Sequence, residues 1–159
     1  MSAIKRTLSV VLTFVLLLGV LSVPAAYAAS EPETTVYVED LGDGIVVKTT
    51  IAVYPGVGRN FSKSAISHSD FTREDVWIGS VTLKAFFTYN GMTAGVTGTE
   101  YAKSTASGWS YTNHKITTTT LSTSSGGTAT LTATLKNFPV NVPVRLSLHC
   151  APDGTITRG

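Results

Sequence analysis

Apolar and polar residues alternate along most of the chain after its first 30 positions. The run from Ile45 to Tyr54 has one clearly more apolar parity, and it ends at Pro55-Gly56. The runs from Val81 to Tyr89 and from Thr128 to Leu135 alternate in the same way. A period of two is typical of a strand with one face in the core, and the abundance of Thr and Val suits a pleated, half-buried surface. The pattern therefore predicts strands.

Short turn signals separate these strands. Asn90-Gly91 predicts a hairpin with a type I′ turn and a partner strand from about Thr93, since both central residues of that turn require a positive φ. Residues 39–44 predict a tight acidic turn between two strands. Residues 138–143 contain two prolines and predict a connection or an edge strand, because proline cannot donate to a ladder. A weak capping box predicts one helical turn over residues 70–76.

These segments and further short runs give seven to nine strands at intervals typical of two facing sheets. The further strands are expected at Thr35–Val38, as a pair between about Thr97 and Tyr111, at Lys115–Leu121 and at Val144–Cys150. The sequence thus predicts an all-β fold, an immunoglobulin-like or related Greek-key β-sandwich, with a small barrel as the alternative.

The beginning of the chain has a different pattern, which predicts an export signal. Residues 1–28 combine a positively charged start, an uncharged apolar run from Leu8 to Val23 and the small-residue motif Ala26-Tyr27-Ala28. Residues 29–33 then form a short linker, and residues 34–159 form a single domain. We therefore expect a signal peptide and a secreted, extracellular protein.

Charge narrows the range of partners. The predicted cleavage removes two of the 12 basic residues and leaves ten basic against ten acidic residues. No basic cluster interleaved with aromatic residues is visible in the sequence, so nucleic acid is not an expected partner. After cleavage no apolar run is long enough to span a membrane. A monomer that binds an extracellular ligand, either an envelope polysaccharide or a protein, is the expectation.

Cys150 is the only cysteine of the chain, so no internal disulfide can form. It lies on the apolar parity of the run from Val144. On that parity the thiol is predicted to be a small buried hydrophobe. An exposed, reactive thiol or an intermolecular disulfide is the alternative.

Motifs for catalysis and metal binding are incomplete. Residues 39–50 resemble part of an EF-hand loop, but Leu41 and Thr50 stand where oxygen ligands are required. The histidines are dispersed, and neither a nucleophile elbow nor a His-Glu-x-x-His motif occurs. We therefore predict no catalytic residue, no metal site and no cofactor. The alternative is a small hydrolase whose groups converge only in the fold, around His68 or His149.

Aromatic residues give the best candidates for ligand contact. Trp77, Tyr101, Trp109 and Tyr111 could form a flat platform that stacks on a sugar or a peptide. The competing interpretation is the core, because a sandwich usually buries a tryptophan. Tyr101, Trp109 and Tyr111 are the candidate ligand-binding residues, and Trp109 is expected to be the more exposed tryptophan.

Several local motifs carry a resemblance. With Phe87-Thr88-Tyr89-Asn90-Gly91, Trp109, Leu148-His149-Cys150 and Asp153-Gly154, the chain from about Val81 onward resembles an uncharacterised family of small secreted β-rich proteins of Gram-positive bacteria. The resemblance supplies no active site. It implies a second cysteine at the place of Val96, so that Cys150 is a remnant thiol packed against Val96 or its neighbours.

Export, the fold class and the missing chemistry together predict a secreted, non-catalytic protein with a binding, adhesion or cell-envelope role. Two alternatives from other classes stay open. One is the small hydrolase described above. The other is a secreted effector such as a peptidase inhibitor, for which a rigid, exposed and strained loop would be the sign.

Overall fold

The computed structural model describes residues 31–56, 61–119 and 123–159, which form nine β-strands and no helix. Within these ranges there is accordingly no helix that could cross a bilayer. The strands are β1 Glu33–Gly42, β2 Ile45–Pro55, β3 Ser62–Arg73, β4 Val76–Tyr89, β5 Ala94–Thr105, β6 Ser110–Thr118, β7 Gly127–Asn137, β8 Val140–Cys150 and β9 Ile156–Arg158.

The strands form two antiparallel sheets, which we call the five-stranded sheet (β1 to β5) and the four-stranded sheet (β6 to β9). Each described strand pairs only with its neighbour in sequence. A Greek key would place a non-consecutive strand beside the first. The predicted all-β, two-sheet fold is therefore confirmed, whereas the Greek-key or immunoglobulin-like order is not. Several of the connections are turns of two to four residues, which join neighbours directly as hairpins.

One hydrophobic core lies between the sheets. On β4 the inward side chains are Val81, Leu83, Ala85 and Phe87, and on β7 they include Leu131 and Leu135. These parities are the ones that the alternation predicts. The thiol-bearing side chain of Cys150 is fully buried in the same core, as predicted.

The two long sides of the sandwich are closed differently. On one side, β5 continues the hydrogen bonding beyond its sheet, because the Val96 N–H donates to the Thr119 carbonyl and Ala94 forms an isolated bridge with Thr123. On the other side, Arg158 of β9 forms a two-pronged ion pair with Glu39 of β1, with 3.0 Å between Nη2 and Oε2. The Arg158 hydrogen bond lowers the pKa of Glu39.

One sheet edge is open. β9 pairs with β8 only opposite Leu148–Cys150, and the Gly159 N–H adds one bond to the Ser147 carbonyl. Backbone groups of alternate residues in a strand point the same way. The backbone groups of Arg145 and Pro143 therefore point toward this open edge, as those of Ser147 do. Among the described residues no strand covers it. Pro143 has no N–H to offer there, as expected for proline on an edge.

Two local predictions are wrong. The helical turn over residues 70–76 is replaced by the end of β3 and a two-residue turn, because pairing with the flanking strands continues to Arg73. Asn90-Gly91 forms the predicted hairpin, but Tyr89 pairs with Ala94 and only Gly91 has a positive φ. The Asn90 side chain instead accepts from the Met92 and Thr93 N–H groups, which stabilises a four-residue loop.

Gly127 generates the first prediction. A Cβ at this position would lie 2.6 Å from the Cα of Gly95, so the backbone of β5 would have to move. We expect Gly127→Ala to lower the free energy of unfolding by about 2 kcal/mol, and Gly98→Ala, whose Cβ would meet only the Phe86 ring at 3.5 Å, to change it by less than about 0.5 kcal/mol. Urea denaturation measures both. Equal effects of the two variants would contradict the close approach of β5 and β7.

Cys150 generates the second prediction. Burial raises the pKa of its thiol, and its side chain is fully enclosed. Iodoacetamide should therefore modify Cys150 slowly in the native protein and rapidly in guanidinium, as followed by mass spectrometry. Rapid modification without denaturant would contradict burial.

Candidate functional site

The up-and-down strand order places four connections at one end of the sandwich. They join β1 to β2, β3 to β4, β5 to β6 and β7 to β8. Contacts tie them to one another: the Glu74 N–H donates to the Gly44 carbonyl at 2.9 Å, and Gly108 lies beside the Asn137 side chain. Neighbouring turns at this end therefore support one another.

This end exposes large apolar side chains. Phe138 is 87% exposed, Val76 65%, Leu41 42% and Trp77 40%. We call these four residues the apical surface. Exposed apolar residues scattered singly are normal, but their concentration at one end of a small domain is typical of an interaction site.

A cleft of about 400 Å³ lies within this end, between the β1–β2 turn and the start of β8. Its lining mixes apolar side chains with polar atoms, which include those of Asp43 and Asn141. The apolar lining residues are Leu41, Ile45, Pro139, Val140, Val142 and Pro143. The cleft is therefore suited to a partner's apolar side chain flanked by a polar group.

The β3–β4 turn has an unusual backbone. Arg73 pairs with Val76, so the turn consists of Glu74 and Asp75 alone, with φ values of 50° and 64°. Two positive φ angles define a type I′ turn, which strongly favours Asn-Gly or Asp-Gly. The nearby β1–β2 turn has such a pair, Asp43-Gly44. Glu74 lacks the conformational freedom of glycine, so the β3–β4 turn is strained.

Four carboxylates border the apical surface. Asp43, Glu74 and Asp75 lie in the two turns, and Asp40 lies at the end of β1. Asp40 accepts a hydrogen bond from the Gly42 N–H at 2.8 Å, which supports the first turn. All four are exposed, apart from the turn contacts just described. The β1–β2 and β3–β4 turns thus bring negative charge to the border of the apical surface.

The aromatic residues predicted to bind a ligand are not brought together as one platform. Trp109 and Tyr111 are half-buried and pack against the core. Tyr101 is exposed on β5, where its ring lies 5.5 Å from that of His114 and its hydroxyl is 3.2 Å from His114 Nε2. Trp77 is more exposed than Trp109, contrary to the prediction, because Trp109 follows a tight turn that directs it onto the core.

The Tyr111 hydroxyl is buried and has no hydrogen-bond partner among the described residues. The absence of a side chain at Gly79 leaves room for the Tyr111 hydroxyl, since a Cβ at position 79 would lie 3.3 Å from that hydroxyl. Burial, with a smaller contribution from the Asp70 charge, raises the pKa of Tyr111 above its ordinary value. Tyr111 therefore supports the core and does not present its hydroxyl to a ligand.

His68 is the histidine that best matches the hydrolase alternative. Its Nε2 lies 3.2 Å from Asp70 Oδ2, and its Nδ1 lies 2.7 Å from Thr82 Oγ1. The three side chains lie on the outer face of the five-stranded sheet, and those of His68 and Asp70 are more than a third exposed. Backbone amides inside a paired sheet cannot form an oxyanion hole. The contacts are those expected of cross-strand pairs on an open sheet face.

The other candidate groups are separated. His149 Nδ1 lies 2.9 Å from Thr128 Oγ1 on the four-stranded sheet, and His149 takes part in none of the ion pairs among the described residues. In the described parts of the chain no three His, Cys, Asp or Glu side chains converge as a metal site would require. A second cleft of about 200 Å³ lies between β1, β2 and β9, beside the Glu39–Arg158 pair.

The opposite end also exposes apolar side chains, namely Tyr54, Phe61 and Met92. Phe61 packs edge-on against Tyr89 at 5.8 Å between ring centroids. Two connections at that end, residues 57–60 and 120–122, lie outside the described residues. The apical end is therefore the one whose four connections are all described.

Comparison of the chain with family models, with curated proteins and with solved structures found no match.

Sequence reasoning missed most of the apical surface. The sequence pattern predicts a turn at Leu41, a helical turn ending at Val76 and a connection or edge strand at Phe138, and only Trp77 of the four is among the aromatic candidates. The signal was present nonetheless: an apolar residue at a tight turn has no core to enter, so Phe138 beside Pro139 could have been identified as exposed.

Tyr111 generates the third prediction. Removal of a buried hydroxyl that has no partner breaks no hydrogen bond. We therefore expect Tyr111→Phe to keep the free energy of unfolding at pH 7 or to raise it by up to about 1 kcal/mol. Above pH 10 the unfolded chain loses the phenol proton while the folded protein keeps it, so the unmodified protein should lose stability relative to the variant. Urea denaturation at both pH values measures this. A clear loss of stability in the variant at pH 7 would show that the hydroxyl is satisfied.

Proposed function

We propose that the protein is an exported, non-catalytic binding protein that docks another extracellular protein on its apical surface. The observation that carries the proposal is the concentration of four exposed apolar side chains at one end of the sandwich, where neighbouring turns contact one another. Export rests on the signal-peptide pattern of residues 1–28.

The chemistry of this end favours a protein partner over a polysaccharide. Leu41, Val76 and Phe138 offer aliphatic and aromatic surface, which suits the burial of apolar side chains in a protein interface. Aromatic residues are also enriched in the buried centre of protein interfaces. The bordering carboxylates select a partner that presents basic residues beside apolar ones, through charge complementarity.

The strained β3–β4 turn supports the same proposal. Asn-Gly would form this turn at lower cost, yet Glu74-Asp75 occupies it and places two carboxylates at its tip. Strain of this kind is commonly found at functional positions. A rigid, exposed and strained turn is also the sign expected of a secreted effector or peptidase inhibitor, and that second candidate acts through the same surface.

A hydrolytic function is not part of the proposal. The His68, Asp70 and Thr82 contacts are open to water, and no cleft described above includes them. Catalysis of acyl transfer needs a site that holds the substrate beside the nucleophile and stabilises the oxyanion.

Site-specific crosslinking tests the proposal. Benzoylphenylalanine replaces Phe138 or Trp77 in one set of variants and Met92, which is exposed at the opposite end, in the control. In cells that export the protein, the first two positions should crosslink to the same partner under ultraviolet light, and position 92 should not. Crosslinking from position 92 alone, or to different partners from 77 and 138, would contradict a single apical interface.

The turn gives the fourth prediction. We expect Glu74→Asn combined with Asp75→Gly to raise the free energy of unfolding by about 1–2 kcal/mol, because both replacements relieve the positive φ angles. The same double variant should lose most of the crosslinking from position 138, because two of the four bordering carboxylates are gone. Glu100→Gln, which removes one carboxylate from the far sheet face, is the control and should keep the crosslink. A stabilised variant that crosslinks normally would show that the turn has no binding role.

A further inference from the structure

The neutral charge of the domain conceals a strong asymmetry. Residues 31–100 contain nine acidic and five basic residues, whereas residues 101–159 contain one acidic and five basic residues. No Asp or Glu occurs between Glu100 and Asp153, a stretch that supplies β6, β7 and β8. The four-stranded sheet is therefore built from segments without a carboxylate, apart from the turn before β9.

The register places three cations on the outer face of this sheet. Thr132 lies directly between Lys115 of β6 and Arg145 of β8, and all three side chains share the face opposite the core. Lys136 lies on the same face, four residues further along β7. Strand spacing puts the Cα atoms of Lys115 and Arg145 roughly 10 Å apart, and Lys136 about 13 Å along the strand from Thr132.

These cations are unpaired within the described part of the chain. Lys115, Lys136 and Arg145 are exposed and take part in none of the ion pairs there. The five-stranded sheet differs, because its outer-face Lys84 lies 3.4 Å from Glu100. Carboxylates thus accompany the cations on the outer face of the five-stranded sheet, where Lys48 also lies opposite Asp70, whereas β6, β7 and β8 carry none.

Hydroxyl groups fill the space between the cations. Thr128, Thr130, Thr132 and Thr134 follow one another on the outer face of β7. Two of them form cross-strand pairs, with 2.8 Å between Thr130 Oγ1 and Ser147 Oγ and 2.9 Å between Thr128 Oγ1 and His149 Nδ1. We call this outer face of β6, β7 and β8 the threonine face. Lys, Arg, Ser and Thr are the side chains that contact phosphate groups in nucleic-acid complexes.

We propose that the threonine face binds a linear phosphodiester polymer of a polyol, that is, a polyanion without nucleobases. Free cations and threonine hydroxyls on a face whose three strands carry no carboxylate provide the complementarity to repeated phosphates. Binding of single-stranded nucleic acid relies on aromatic side chains that stack on the bases. The outer faces of β6, β7 and β8 carry no Phe, Tyr or Trp, since Tyr111 is turned toward the core.

The size of the expected effect follows from three contacts. For single-strand polyanions the logarithm of the binding constant falls with the logarithm of salt concentration with a slope of about −0.7 per phosphate neutralised, or roughly −2 for three cations. Binding should therefore weaken roughly 20-fold between 50 and 200 mM NaCl. This surface is separate from the apical surface, so the two proposals can fail independently.

Titration of the purified protein with poly(glycerol phosphate), followed by calorimetry at both salt concentrations, tests the proposal. Arg145→Gln and Lys115→Gln should each weaken binding and make the slope shallower by about 0.7. Lys84→Gln removes the same charge from the other sheet and should leave binding unchanged, as should Trp77→Ala on the apical surface. All the substituted side chains are at the surface, and circular dichroism verifies that each variant is folded.

Three outcomes would overturn the proposal. The first is no salt-dependent binding of poly(glycerol phosphate) at 50 mM NaCl. The second is an equal loss in Lys84→Gln and Arg145→Gln, which would indicate a response to net charge alone. The third is equal or tighter binding of oligo(dT) of the same charge, which would indicate a nucleic-acid surface or a non-selective one.

Discussion

The interdigitation of aliphatic side chains between two sheets is the interaction on which the rest of the structure depends. The described residues contain no helix, and the single cysteine rules out an internal disulfide. Burial of the inner faces, at roughly 25 cal/mol per Å² of apolar surface, therefore supplies the main stabilising free energy. Leu83, Leu131, Leu135 and Leu148 are all almost completely enclosed. Most outward positions are then free of packing constraints.

Hairpin order decides where recognition can take place. Consecutive antiparallel strands bring alternate connections to the same end, so the apical surface collects residues from segments that are up to about 100 positions apart in the chain. Turns at this end hold one another, as the Glu74 and Gly44 backbone bond shows. A surface built on short, mutually supported turns loses little conformational entropy when it binds a partner.

The alternation of apolar residues identified which side chains face the core, but not which strands are neighbours. Phe87, Leu131 and Cys150 are buried as their parity predicts, and the acidic turn at residues 39–44 joins two strands as expected. The alternation does not show which strands pair with one another. A Greek key and an up-and-down arrangement of the same strands therefore have the same pattern of apolar residues. Trp109 follows a turn, where parity does not apply, and its exposure was predicted incorrectly.

The apical and threonine surfaces were hidden for different reasons. Val76 and Trp77 lie next to a shift in the register between β3 and β4, where the alternation breaks down. Lys115 and Arg145 are 30 positions apart, and only the pairing of both with Thr132 reveals that they are neighbours. A net charge near zero, taken over the whole domain, gave no hint of their separation from the carboxylates.

Pro143 has a consequence for the way in which the uncovered edge of β8 can meet other chains. An uncovered strand normally recruits the strands of other molecules, and this recruitment is the first step toward fibrous aggregates. On the uncovered side of β8 the missing donor of Pro143 interrupts the ladder, and the neighbouring Arg145 would place identical charges against one another in a stacked copy. Although the short β9 covers only the end of β8, the rest of this edge is therefore unfavourable for pairing with another copy of the chain.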